Sequence, residues 1–325
     1  MNETTAMTSH RLFNAVQSLT ILPQVGGSVA RWQWHQNPRT QEPFKQALDL
    51  WRWQEGAPPL AVEQASMPML PWCNRISQGG FHSPQGFHAI EPNTADSPLP
   101  IHGDGFLQSW QVTQSHEQQL TLCLRSSRFQ GNPYDYEAVQ TLTLRDNGMT
   151  QSLRLTHLGD GRLPYGLGQH PWFDATTATQ TQASVEGYWP CDASFLPVGY
   201  SQDIPPNQNP NRGMPTTGML INHLYSPWNG LAQVHYPAHG LSLTMQAHFK
   251  VLGKKMDGCL MIYRPTHEKV FCLEPVSHPV DAFHLEGQPG LQWLSFGEHM
   301  ELELDRKSTR LNSSHSQQSR MPSSA

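Results

Sequence analysis

Outside one short segment, no stretch of this 325-residue chain repeats apolar residues at helical spacing over eleven or more positions. What recurs is the short alternating run, bounded by Gly, Pro, Asn or Asp, the signature of half-buried β-strands. Leu19–Leu22, Ala30–Trp34, Trp110–Thr113 and Leu120–Arg125 are early examples. Tyr136–Arg145 and Met149–Thr156 alternate on either side of Asp146-Asn147-Gly148, and Asx-Gly between such runs is the strongest local hairpin signal. Leu231–Tyr236 with Leu241–Gln246, and Cys259–Tyr263 with Val270–Glu274, form later pairs, and Met300–Asp305 alternates as a last strand. Only Glu42–Trp53 reads as a short helix. So many strands without a composition break imply one all-β domain, a large sandwich or barrel. The 25 Gly and 27 Pro supply the turns, and Pro205–Gly213 reads as a loop rather than a linker.

The ends differ from the middle. Residues 1–11 are expected to be a flexible N-terminus without the basic and apolar regions of a secretory signal. Residues 12–306 are expected to form the domain. Residues 307–325 are Ser-rich, nearly free of apolar side chains and similar to a translated cloning or adapter scar, so they are expected to be disordered and non-native. They carry cations and no acids, so the domain proper is more acidic than the formal charge of −5.

Several classes lose support at once. Charge is scattered, with no basic stripe for nucleic acid. No apolar run reaches the roughly 18–20 residues of a membrane helix. The expected setting is cytoplasmic. The five cysteines, 73, 123, 191, 259 and 272, form no CxxC pair and read as free thiols. Phosphate-loop, dinucleotide, nucleophile-elbow and HExxH motifs are missing. The spacings of His82, His88 and His102, or of His278 and His284, match no zinc pattern, so no metal is expected.

Only 14% of residues are charged, against an average of roughly 25%, and 17 histidines stand among the neutral polar residues that replace them. Some sit in rigid turns: His102 beside Gly103, His170 before Pro171, Glu274 at a strand end before Pro275, and Arg75 among apolar residues. Together they read as a pocket in which a carboxylate and imidazoles face one polar ligand. Trp72, Trp110, Trp172 and Phe173 are candidate flat walls for a sugar ring.

In order along the chain, these segments resemble the aldose 1-epimerase (galactose mutarotase) family. The resemblance rests on Asn74-Arg75-Ile76 with Gly79-Gly-Phe81, Asn93 with Leu99-Pro-Ile-His-Gly103, Gly168-Gln-His-Pro-Trp-Phe173, Leu196-Pro-Val-Gly199 and Cys272-Leu-Glu-Pro275. It spans nearly the whole chain except the tail. It implies a galactose mutarotase-like β-supersandwich that interconverts the α and β anomers of a free hexose such as glucose or galactose, without cofactor or metal, as a monomer or homodimer. On this resemblance Glu274 is the general base and His170 the general acid through ring opening. His102 assists at the ring oxygen, Arg75 and Asn93 position hydroxyls, and Trp172 forms a wall. The roles require an anionic Glu and a protonated His, states that stabilise one another at short range. The family's Asp in a Leu-Asp motif is replaced here by Asn222 in Leu220-Ile-Asn222, which keeps an acceptor but loses the charge. Two other readings stay open: a non-catalytic carbohydrate-binding protein on this fold, and a hexose-6-phosphate mutarotase. The second would use spare cations such as Arg125, Arg128, Arg154 or Arg162.

Overall fold

The structure is a computed structural model that describes residues 8–310 apart from 38, 39, 41 and 267. Eighteen strands join in one sheet system, and two further two-stranded ribbons complete the fold. The described residues contain short 3-10 turns and no α-helix. The strand ladders are antiparallel. One large apolar cluster fills the interior of this β-sandwich, centred on Trp32, Trp34, Trp51, Phe173 and Phe271.

The expected pairs form as read. Asp135–Arg145 and Gly148–His157 close a tight hairpin in which Arg145 faces Gly148. Alternate residues of the Asp135–Arg145 strand are buried, as a period of two demands. Ile221–Tyr236 pairs with Leu241–Val251, and Gly258–Arg264 with Val270–Val276.

Three expectations need correction. The segment expected to be helical, Glu42–Trp53, contains the strand Pro43–Asp49, which pairs with Ser28–Gln36. Its apolar residues were spaced for a helix, but tertiary pairing overrides so weak a local preference. At the N-terminus, the strand begins at His10, with Arg11 opposite Thr20; residues 1–7 lie outside the described residues. At the other end the strand His299–Arg310 continues past the expected boundary at 306, with Lys307 opposite Gly148 and Thr244. Polar residues suffice there because backbone bonds to two neighbours hold the strand; residues 311–325 lie outside the described residues.

Candidate active site

The site grows from one face of four adjacent strands. Ladder partners share a face, and so do residues two apart along a strand. One row carries Trp172, Cys272, Tyr263 and Asn222 across successive strands. Two residues along lies the row of Glu274, Met261 and Leu224, with His170 beside Glu274 on the neighbouring strand Gly168–Asp174. Nε2 of His170 is 3.5 Å from Oε1 of Glu274. The close approach of these strands depends on Gly168, where a Cβ would stand 2.7 Å from the Pro275 carbonyl oxygen and 2.9 Å from Cys73 Sγ.

Glu274 and His170 are only 2% and 7% exposed. Their remaining polar atoms, Oε2 and Nδ1, are buried without a hydrogen-bond partner in the protein. Loss of solvent pushes the Glu274 carboxyl up to about 8, while Arg75 pulls it down by a smaller amount. The same desolvation, with Arg52 second, pushes His170 down to about 3. The expected anionic Glu and protonated His are therefore not the resting state. Burial favours neutral carboxylic acid and neutral imidazole. The two descriptions differ only in where one shared proton sits.

His102 completes the group. Its ring stands nearly perpendicular to that of His170, with centroids 5.1 Å apart. Nδ1 of His102 accepts from the Asn74 backbone N–H at 3.1 Å, so the neutral ring carries its proton on Nε2. Burial, followed by His170 and Arg75, lowers its pKa well below the ordinary value. In return the His102 N–H donates to the Asn74 carbonyl at 3.0 Å. Both residues are left-handed, with φ of 55° and 61°, a conformation that costs on the order of 1 kcal/mol for a non-glycine residue. Gly103 follows at φ 73°, where a Cβ would lie 2.0 Å from the Leu70 carbonyl oxygen; only glycine fits.

The other expected residues separate. Arg75 is half-buried, donates from Nη1 to Asn74 Oδ1 at 3.3 Å and lies 5.0 Å over the Phe195 ring. Trp172 stacks on His170 at 5.3 Å and meets Tyr263 edge-on. Asn222 is buried in the row beside the Glu274–His170 pair. Asn93 does not fit the expected hydroxyl contact. Its amide donates to the carbonyls of Ile101 (2.8 Å) and Gly103 (2.6 Å), and its oxygen accepts from Ile101 N–H (2.8 Å). Its polar atoms thus brace the His102 loop, and it borders a separate cleft of about 380 Å³ with Val25, Leu60 and Phe106. Of the four proposed aromatic walls, Trp72, Trp110 and Phe173 are core residues; Trp172 alone is partly exposed.

Two neighbours escaped sequence reasoning. Tyr263 looked like an ordinary strand residue, and its position opposite Asn222 and Cys272 exists only in the register. Arg52 lay in the supposed helix, although an Arg between two tryptophans was a signal. His170, Cys272 and Glu274 each bring one donor atom within 4.8 Å of the others. Burial holds the Cys272 thiol well above its usual range. His278 is structural: Nε2 accepts from Cys73 N–H at 3.0 Å. All five cysteines are free. No described helix is long and apolar enough to cross a membrane.

Comparison with known proteins agrees with this geometry. A family model described as aldose 1-epimerase matches residues 11–307. The uncharacterized protein YphB of Escherichia coli K12 is 29% identical over 232 residues, 69% of this chain and 77% of its own. A solved candidate aldose 1-epimerase from Escherichia coli K12 aligns with a TM-score of 0.83 at 25% identity, over 94% of this chain and all of the other. The GalM/aldose epimerase homologue from C. elegans aligns with a TM-score of 0.76 at 15% identity, over 94% and 100%, a likeness of fold alone. By sequence over nearly its whole described length, and by the sheet that carries Glu274 and His170, the chain belongs to the aldose 1-epimerase family.

Proposed function

We propose that the protein is a mutarotase that interconverts the α and β anomers of a free hexose such as glucose or galactose. The observation that carries this reading is the buried Glu274–His170 pair, 3.5 Å apart, each with one unpartnered atom. A hemiacetal supplies the missing partners, because its anomeric hydroxyl and ring oxygen are adjacent donor and acceptor. With sugar bound, the Glu274 carboxylate takes the proton from the anomeric hydroxyl. His170 gives its proton to the ring oxygen, and the C1–O5 electron pair leaves with that oxygen. Rotation about C1–C2 and the reverse transfers close the other anomer. Two groups whose environments shift their pKa values in opposite directions suit such reciprocal acid–base work. The Nε2–H of His102 supplies a hydrogen-bond donor at the ring oxygen. Arg75, Asn222 and Trp172 form the binding wall.

A phosphorylated substrate has weaker support. Arg125, Arg128 and Arg154 are more than half exposed and lie near surface carboxylates, and Arg162 is also exposed. Polarimetry of freshly dissolved α-D-glucose and α-D-galactose tests the reading, with acceleration over buffer expected. Sugar binding without acceleration favours a non-catalytic carbohydrate-binding protein, and faster turnover of glucose 6-phosphate favours the phosphorylated class.

A further inference from the structure

Behind the imidazole of His170 lies a cation that the proposed chemistry does not use. The Arg52 N–H donates to the Trp172 carbonyl at 2.8 Å, and the Trp172 N–H donates to the Ala65 carbonyl at 2.9 Å. These main-chain bonds place the Arg52 guanidinium 4.3 Å from the centre of the Trp172 ring, which also stacks on His170. Nη2 of Arg52 donates to the carbonyls of Val62 (2.5 Å) and Gln64 (2.7 Å), while Nε is buried without a partner. Its acceptors are neutral. The acids that act on it, Glu63 and Glu268, are exposed. The guanidinium is thus clamped in place with its charge largely unneutralised.

We propose that Arg52 is a positioning residue: held behind His170 through the Trp172 ring, its charge keeps the shared proton of the pair on Glu274 when no sugar is bound. The groups that face His170 are the Glu274 carboxyl and Cys272 thiol from one strand, His102 from its loop, and Arg52; Met67 on the other flanking strand is apolar. Arg75 acts on Glu274 in the opposite sense, favouring its ionised form. Ring opening converts carboxylate and imidazolium into carboxylic acid and imidazole. Arg52 therefore stabilises the side of the step on which the ring is open, and Arg75 the closed side. The catalytic consequence rests on the mutarotase reading; the coupling of Arg52 to His170 does not.

The test is an NMR titration of the His170 ring in sugar-free protein. The wild-type ring is expected to titrate below about pH 5, against an ordinary value of about 6.5. Arg52→Gln should raise that midpoint by about one unit or more, and Arg52→Lys should largely restore it. Arg52→Met is the second neutral variant should Gln compromise folding. A wild-type midpoint near 6.5, or an unchanged midpoint in a folded neutral variant, overturns the proposal. Polarimetry should show the acid limb of kcat/KM moving upward with the NMR midpoint. If wild-type protein turns over no sugar while the midpoint moves, the proposed function fails and the Arg52 coupling stands.

Discussion

Among the regions that bury polar atoms without partners, two do so for different reasons. Beside the row of Trp172 and Asn222 the orphans are Glu274 Oε2 and His170 Nδ1, on a face with polar and aromatic neighbours. In the last strand they are Asp305 Oδ1, Nε and Nη2 of Arg306 and the Ser308 hydroxyl, where the sequence pattern gives way to polar residues. Arg306 is fully buried; its Nη1 donates to Gln151 at 2.9 Å, it lies 5.1 Å from the Trp51 ring, and burial drives its pKa down to about 9. On the proposed function, the first region is completed by its substrate. The second is an energetic cost carried by backbone pairing on both sides.

Substitutions can break that comparison. The largest effect is expected for Glu274→Gln, which should lower kcat by about 10²–10⁴-fold in polarimetry with little loss of thermal stability. A destabilised but active variant would make Glu274 an architectural group instead of a catalytic one. Arg306→Met should do the opposite, leaving kcat unchanged and raising unfolding free energy by about 1–4 kcal/mol in urea titrations, because a poorly paired buried charge is replaced by packing. Asn93→Ala lies between the two. Loss of three hydrogen bonds should cost about 2 kcal/mol or more, with kcat falling through displacement of His102. A rise in KM alone, at constant stability, would restore its role as a sugar contact.

The smallest effect is in pH dependence. Glu274 is raised in the folded state, so its stabilising contribution is full below about 4.5 and is lost as pH climbs through about 8. His170 is lowered, so its contribution is full above about 6.5 and is lost as pH falls through about 3. Between about 4.5 and 6.5 the two slopes oppose each other. Unfolding free energy should therefore vary little with pH across this window through the pair. His170→Gln should expose a decline with rising pH, and Glu274→Gln a rise.

Much of this was legible in the sequence, because strands with one buried face must alternate and turns must use residues that tolerate them. The Asp146-Asn147-Gly148 hairpin and the rigid settings of His102, His170 and Glu274 are local facts that a linear reading can reach. Register is not local. That Asn222, Tyr263, Cys272 and Trp172 share a row depends on strands dispersed along the chain, so Tyr263 went unnoticed. A motif marks Asn93 as important without saying which atoms it faces, and in the structure these are the backbone of Ile101 and Gly103. Trp110 and Phe173 look like sugar platforms in sequence and are core in space, since aromatic side chains serve both ends. The proton's resting place also departed from expectation: proximity of opposite charges was weighed, but the cost of burying them was larger.

The strands of His170 and Glu274 pair directly in space, although many strands separate them along the chain. Contacts so distant in sequence form slowly, because chain entropy is lost before any bond rewards it. Catalytic competence therefore belongs to the late events of refolding. During renaturation, recovery of turnover should lag behind recovery of β-structure, making the enzyme a reporter of its own final assembly.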